Sequence, residues 1–307
     1  LADELAHCLD RDHAHHTPSL KQVIHFDSEA SSGLEQRMRA HPTPFAAHPT
    51  SRDDVCLIAF TSGTTGKPKG AMHTHQGLVY TTRGYNQVIE RNEQDECMCF
   101  LPLCHIAERM GGEYFSLYTG TVLNFVENPE TVFDNLREVQ PHVFFAVPRV
   151  WEKIYSQVMI SMGEATRLQQ WAYGWAVSVG KAVATHRLQG KAPGLGLQLL
   201  YAVARFAVLD NVRRMLGMSR VQMALTGAAP ISPDLIQWFH ALGVPLREGW
   251  GMTETTASGT VNPVRGIRPG SIGVPGPGLE MRIAPGSDEI LLRGPTVIRG
   301  YLNLPEK

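Results

Sequence analysis

At 307 residues the chain can bury a sizeable core, as one large domain or two small ones. Its 43% hydrophobic and 19% charged content exclude a disordered or fibrous polypeptide. With 28 basic against 29 acidic side chains and a net charge of -1, no whole-chain field attracts nucleic acid or anionic lipid, so any basic site must be local.

Residues 1–54 read as a partial amino-terminal segment and a polar, Pro/His-rich linker; residues 55–265 as a nucleotide- and acyl-binding core; residues 266–307 as the start of a β-rich subregion. His13, His15 and His16 lie in the first segment without partner ligands and predict no metal tract. Val55-Cys-Leu-Ile-Ala-Phe60 has the continuous apolar texture of a buried strand, and Gln76 to Ile89 has helical spacing behind a Thr74 cap, so the glycine-rich loop between them is expected to join strand to helix. Met98 to Leu103, Val122 to Val126, Val143 to Val147 and Val221 to Leu225 repeat the buried-strand pattern. Thr131 to Gln140 predicts a helix between two of these strands, a βαβ unit with a right-handed crossover.

Two stripes at four-residue spacing, Val150, Ile154, Val158, Met162 and Trp171, Trp175, Val179, Val183, make Arg149 to Leu188 mostly helix, and Leu200, Val203, Ala207 and Val212 give another. Past Gly266 the chain turns to Gly/Pro-punctuated strands. The fold class is therefore α/β: a mainly parallel sheet flanked by helices, with a small antiparallel or barrel-like subregion near the end. Cys8, Cys56, Cys97, Cys99 and Cys104 lack the spacing of a zinc site and read as free thiols of a reducing compartment. No run reaches the length of a membrane span, and the amino end has no leader pattern, so the reading is a cytoplasmic protein. Peripheral contact at the inner membrane face and a homodimer stay open. Leu1 at the start and Pro305-Glu-Lys307 just after a strand-like segment read as a chain cut at both ends.

Thr61-Ser-Gly-Thr-Thr-Gly-Lys-Pro-Lys-Gly70 concentrates donors for an anion. Gly63 and Gly66 permit close backbone approach, Thr61, Ser62, Thr64 and Thr65 add hydroxyl donors or metal contacts, and Lys67 and Lys69 add point charges. Polyphosphate is the natural guest. Pro68 stands where the usual phosphate loop carries its magnesium-binding hydroxyl, which argues against a Walker-type ATPase or kinase.

The run Phe60 to Gly70 resembles the signature of the adenylate-forming (AMP-binding) enzymes. Thr226-Gly-Ala-Ala-Pro230 resembles that family's adenine-pocket segment, and Glu248-Gly-Trp-Gly-Met-Thr-Glu-Thr255 its Tyr-Gly-x-Thr-Glu motif. Trp250 and Phe60 replace two tyrosines common in the family and keep an aromatic face. The resemblance implies ATP, Mg²⁺ and coenzyme A, with Gly227, Ala228 and Ala229 and the stretch Glu248, Gly249, Trp250, Gly251, Met252 and Thr253 holding the nucleotide. Trp250 would stack on adenine, Thr253 bond a phosphate oxygen, and Glu254, with Thr61, hold Mg²⁺.

Leu101-Pro-Leu-Cys-His-Ile-Ala-Glu-Arg109 and Phe144-Phe-Ala-Val-Pro-Arg-Val-Trp-Glu-Lys-Ile154 resemble bacterial long-chain fatty acyl-CoA synthetases. That implies His105 near the acyl-adenylate carbonyl and Pro148 to Trp151 in the cavity wall, while Trp151 taken alone is an ordinary core residue. Gly111 to Phe115 are candidates for an acyl tunnel or for a plain buried helix. The implied reaction activates a fatty acid to acyl-AMP with pyrophosphate release, then transfers it to coenzyme A. In this family an aspartate for the ribose and a small domain bearing a catalytic lysine follow the point reached at Lys307, so the chain tested alone is expected to adenylate weakly at best. Adenylation of an aryl or amino acid, and a nucleotide-binding remnant without turnover, are the competing readings.

Overall fold

The computed structural model describes residues 34–40, 46–61 and 67–306. The histidine cluster, Cys8 and loop residues Ser62, Gly63, Thr64, Thr65 and Gly66 lie outside the described residues. Two compact units divide after Thr50. The described helix of the first is α1 (Leu34–Ala40), whose exposed Arg39 and Glu35 pair one turn apart at 3.4 Å. Everything below concerns the second unit.

That unit carries a seven-stranded sheet in the order β4 (Val122–Phe125), β3 (Glu96–Cys99), β5 (Val143–Ala146), β6 (Met223–Thr226), β7 (Leu246–Gly251), β8 (Gly259–Val261) and β9 (Val274–Pro275). The pairings from β4 through β7 are parallel; β8 and β9 are added antiparallel. The short apolar strands β3, β5 and β6 are almost wholly buried, as parallel strands covered on both faces must be. β3 ends at Cys99, short of the expected Leu103, because Leu101 N–H turns to Glu108 Oε2 at 3.1 Å and Pro102 follows.

Connections between the parallel strands are helical. After α2 (His75–Ile89), the short α3 (Ile106–Glu108) continues through a wide π-type turn, Arg109–Tyr114, into α4 (Phe115–Thr119). The βαβ helix is α5 (Val132–Val139). The long helical stretch is two helices, α6 (Pro148–Gly163) and α7 (Arg167–Leu188), the latter opened by a Thr166–Gln169 capping box. Then come α8 (Leu195–Ala204), α9 (Asp210–Met215) and α10 (Pro233–Ala241). α6, α7 and α10 pack on the sheet in one apolar cluster in which Trp151 meets Phe144 and Phe239 edge-on at 5.2 and 4.9 Å. Trp171, expected on the core stripe, is 69% exposed, while Tyr173 two residues on is buried and its hydroxyl accepts from Trp238 of α10 at 3.0 Å.

The expected strand-to-helix connection runs instead between two antiparallel strands. β1 (Val55–Thr61) pairs antiparallel with β2 (Lys69–Thr74), and α2 starts only after Thr74, whose Oγ1 accepts from Gly77 N–H at 3.1 Å. Gly70 is where the strands close tightest: a Cβ there would lie 2.9 Å from Ile58. Residues 299–302 hydrogen-bond to the far edge of β2 through Met72 and Gly70. The antiparallel subregion near the end is the hairpin β10 (Glu280–Ile283) with β11 (Ile290–Arg293).

Candidate active site

A cavity of about 790 Å³ opens where the carboxyl ends of β6 and β7 face α2, α3 and the Thr61–Lys69 end of the β1–β2 pair. Ligands of open α/β sheets gather at such strand ends. Its wall includes Thr61, Lys69, His105, Gly227, Ala228 and Gly249 through Glu254. The structure thus brings together residues from three runs up to 193 positions apart, counting from Thr61 to Glu254. Lys67 and Ala229 do not line it. Neither does Glu248, which is 8% exposed and whose Oε2 accepts from Gly270 N–H at 2.8 Å, a bond that braces the loop behind β7.

Backbone geometry at the mouth is unusual in two places. Ala228 has φ +68°, and Thr256 and Ala257 follow each other at φ +55° and +58°. Left-handed non-glycine residues cost free energy and persist where surrounding contacts hold them, often at ligand sites. Those contacts are visible at Thr256: His73 Nδ1 lies 3.1 Å from its Oγ1, and that hydroxyl donates to the Thr296 carbonyl oxygen at 2.7 Å. With its hydrogen so used, the hydroxyl accepts from His73 Nδ1–H, which leaves Nε2 unprotonated and without a partner. Burial holds the imidazole neutral, pushing its pKa down to about 4. Tyr85 of α2 donates to the Ala257 carbonyl oxygen at 2.5 Å and secures the same loop from the other side.

His105 caps α3 and is exposed to the cavity; its Nδ1 accepts from Ala107 N–H at 3.2 Å. That bond assigns the ring proton to Nε2, a donor free to meet an acyl oxygen. Glu254 Oε1 accepts from the Tyr301 hydroxyl at 2.6 Å, and burial with this neighbouring carboxylate pushes the phenol up to about 12. Lys69 Nζ lies 5.5 Å from the centre of the Tyr301 ring.

Four wall residues carry hydroxyls without partners, and three of them, Thr81, Thr260 and Thr296, escape sequence reading. Thr81, Thr226, Thr260 and Thr296 are each at most 5% exposed, and none of their hydroxyls has a protein partner. All four line the cavity. Unsatisfied buried hydroxyls are costly to a fold but natural where a polar ligand supplies the partners. A nucleotide with its ribose and phosphates fits this wall, with the open backbone of Gly227 beside it. For a metal, Glu254 is the cavity's only carboxylate among the described residues, and no group of three ligating side chains occurs among them. That suits Mg²⁺ carried in on phosphates, which needs one or two carboxylates, and does not suit an all-protein metal centre.

The other branch of the cavity is mainly apolar, with the buried Arg91 guanidinium in its wall. Gly84, Tyr85, Val88 and Ile89 of α2, with Ile106, Gly111 and Phe115, form it. Gly111 and Phe115 were expected either in an acyl tunnel or in a plain helix; they sit on the π-type turn and its continuation, against Arg91. Pro148 and Trp151 do not reach the wall; Trp151 is fully buried and donates to the Ala146 carbonyl oxygen at 3.1 Å, while Phe145 of β5 takes the wall position. The signal that was available for α2 is its face Thr81, Gly84, Val88, where small and polar residues interrupt the apolar spacing of a packed helix.

A model of the AMP-binding enzyme family matches residues 2–302. The chain is 36% identical over 256 residues to fadD11 of Mycobacterium tuberculosis (strain ATCC 25618 / H37Rv), named provisionally as a fatty-acid–CoA ligase, covering 83% of this chain and 45% of that one. It is 32% identical over 267 residues to the long-chain-fatty-acid–CoA ligase ACSBG2 of Xenopus laevis, covering 83% and 36%. The chain therefore spans less than half the length of these curated relatives. Two solved structures share the fold. A long-chain-fatty-acid–CoA ligase (FadD1) from Archaeoglobus fulgidus superposes with TM-score 0.63 at 21% identity, covering 89% of this chain and 48% of that chain. An anthranilate CoA ligase, AuaEII, in complex with anthranoyl-AMP, superposes with TM-score 0.65 at 20% identity, covering 95% and 49%.

Proposed function

Since the chain belongs to the AMP-binding enzyme family, we propose that it forms the nucleotide- and acyl-binding part of an ATP-dependent fatty-acid–CoA ligase. The observation that carries this is the two-sided cavity: the unpartnered hydroxyls of Thr226, Thr260 and Thr296 with open strand-end backbone on one side, an apolar branch under α2 on the other.

In this reading the fatty carboxylate attacks the α-phosphorus of ATP. An acyl–phosphate bond forms, the bond to the leaving pyrophosphate breaks, and the thiol of coenzyme A later displaces AMP from the acyl carbon while losing its proton. No covalent bond to the protein is needed, so the residues act by positioning and by electrostatics. Gly227 and Ala228 offer backbone to the adenine, and Trp250 an aromatic face. The hydroxyls of Thr226, Thr260 and Thr296 offer donors and acceptors to sugar and phosphates. Lys69 and the rest of the 61–70 loop offset phosphate charge. His105 Nε2–H orients the acyl oxygen. Glu254, held by Tyr301, would take part in holding Mg²⁺, whose chemistry when bound is to neutralise the phosphates. Each CH₂ buried in the apolar branch adds about 0.8 kcal/mol, which makes a long chain the favoured guest.

The test is ATP–pyrophosphate exchange by this chain against a panel of fatty, aryl and amino acids, with binding of ATP and of each acid measured in parallel. Exchange, or ATP-enhanced binding, with long fatty acids supports the reading. A preference for aryl or amino acids overturns the substrate class, and ATP binding with silence toward every acid leaves a nucleotide-binding remnant.

A further inference from the structure

A second cavity, of about 870 Å³, adjoins the first and shares Val88, Ile89, Val261, Gly276 and Pro277 with it. Arg247 lines it. This side chain is 4% exposed, and its partners are both neutral: Nη1 donates to the Asn262 carbonyl oxygen at 3.2 Å and Nη2 to Met223 Sδ at 3.0 Å. Burial pulls the guanidinium down to about 10, with no carboxylate opposing the shift, so it is still a cation at neutral pH. Glu90 and Asp95 also line this cavity, at the carboxyl end of α2 and in the loop after it. Asp95 is engaged by Asn92 N–H at 3.0 Å and by His142 at 3.7 Å. A buried cation without a counterion is costly, and an anion that reaches it recovers much of that cost.

β7 supplies the route. Alternate strand residues share a face, so Arg247, Gly249 and Gly251 lie on one side and Glu248 and Trp250 on the other. Gly249 and Gly251 line the first cavity and carry no side chain; across the β7–β8 pairing they meet Val261 and Gly259. From the carboxyl end of β7 down to Arg247 this face is therefore backbone and small apolar groups, over about 13 Å at the usual rise per strand residue. Val88 and Ile89 of α2 line both cavities along the way.

We propose that the second cavity is the far end of the acyl site and that Arg247 receives a terminal carboxylate there. The chain then takes α,ω-dicarboxylic fatty acids, with one carboxylate presented at His105 and the other paired to the guanidinium. This rests on the fatty-acid reading above. A methyl-terminated chain of the same length would leave the buried Arg247 cation without a counterion, whereas a carboxylate meets the planar fork of donors. No bond is made or broken at Arg247.

The experiment compares equilibrium binding of dodecanoic and dodecanedioic acid to the full chain, with shorter and longer matched pairs, in the parent and in Arg247→Met and Arg247→Lys. The diacid should bind about tenfold tighter or more, as a charge-assisted hydrogen bond to a buried partner supplies a decade or more. Arg247→Met should lose that preference and bind the monoacid at least as well; Arg247→Lys should keep part of it. Arg247→Met should also unfold at higher denaturant concentration, which reports that the variant is folded. Equal binding of the two acids by the parent, or a diacid preference that survives Arg247→Met, overturns the inference and leaves the fatty-acid reading standing. ATP binding with no binding of either acid overturns the fatty-acid reading and this inference with it.

Discussion

The Tyr301 hydroxyl donates a 2.6 Å hydrogen bond to Glu254 Oε1, joining the segment that extends β2 to the turn after β7. The bond fixes one oxygen of the cavity's carboxylate and leaves the other for a cation. Tyr301→Phe removes the donor and keeps the ring beside Lys69. Outer partners of metal-holding carboxylates are commonly worth about tenfold or more in affinity or rate. The variant should therefore raise the Mg²⁺ concentration needed for half-maximal exchange about tenfold while leaving the binding of fatty acid unchanged. An unchanged Mg²⁺ dependence would assign Tyr301 to the fold alone.

The unpartnered threonines separate ligand binding from stability. Thr226→Val and Thr296→Val keep the shape of a β-branched side chain and delete a hydroxyl that bonds nothing in the protein. Removing an unsatisfied buried hydroxyl should leave the unfolding midpoint equal or higher, by up to about 1 kcal/mol, and should weaken ATP by about 0.5 to 1.5 kcal/mol for each hydroxyl that the nucleotide engages. Chemical denaturation and ATP titration on the same samples decide it. A loss of stability with unaltered ATP affinity would place these hydroxyls in the fold's own bonding.

His73 predicts an acid limb in the stability profile. Its folded pKa, about 4, lies below the ordinary value of 6.5, so between those values the unfolded chain binds the proton that the folded chain refuses. Stability is then unaffected by this group above pH 6.5 and falls as the pH drops from 6.5 toward 4, by on the order of 3 kcal/mol in all. His73→Asn can keep a donor toward Thr256 and does not titrate. Its unfolding free energy should decline less steeply across that window than the parent's. Parallel slopes in the two proteins would rule the histidine out as the cause.

How far the sequence announces this molecule depends on how local each feature is. β5 and β6 were legible because a strand covered on both faces must be continuously apolar. β1 has the same texture and is a strand, but it is not the buried one expected, since among the described strands it pairs only with β2 and leaves Ile58 and Phe60 exposed. The Thr74 cap and the βαβ unit were legible from spacing. β2 was not: Lys-Gly-Ala-Met-His-Thr has no apolar run, and it is a strand because β1 and residues 299–302 bond its two edges. The polar side of the cavity was visible as three runs of glycine, hydroxyl and acidic residues. Tyr301, Thr81, Thr260 and Thr296 were not, since each enters the wall from a segment whose own pattern is ordinary. Trp151 was assigned to the wall by resemblance and belongs to the core, where Phe144 and Phe239 hold it edge-on.

Gly84 tests the acyl branch with a change that favours the helix. It is buried on the face of α2 toward the apolar branch, and a Cβ built there meets nothing closer than Pro277 at 3.8 Å. Gly84→Leu therefore enters the branch without clashing with backbone, and replacing a mid-helix glycine gains about 0.8 to 1.0 kcal/mol of helix propensity. Stability should hold or rise. Long acids should lose affinity, because a Leu side chain occupies space that several methylene groups would fill, each worth about 0.8 kcal/mol. Short acids, which end before α2 narrows the branch, should bind as before. Binding across a homologous series of fatty acids gives the readout: a break in the affinity increment at a particular chain length marks where Gly84 borders the chain. A uniform loss at all lengths would mean that the acyl group does not pass beneath α2, and the apolar branch would then serve some other guest.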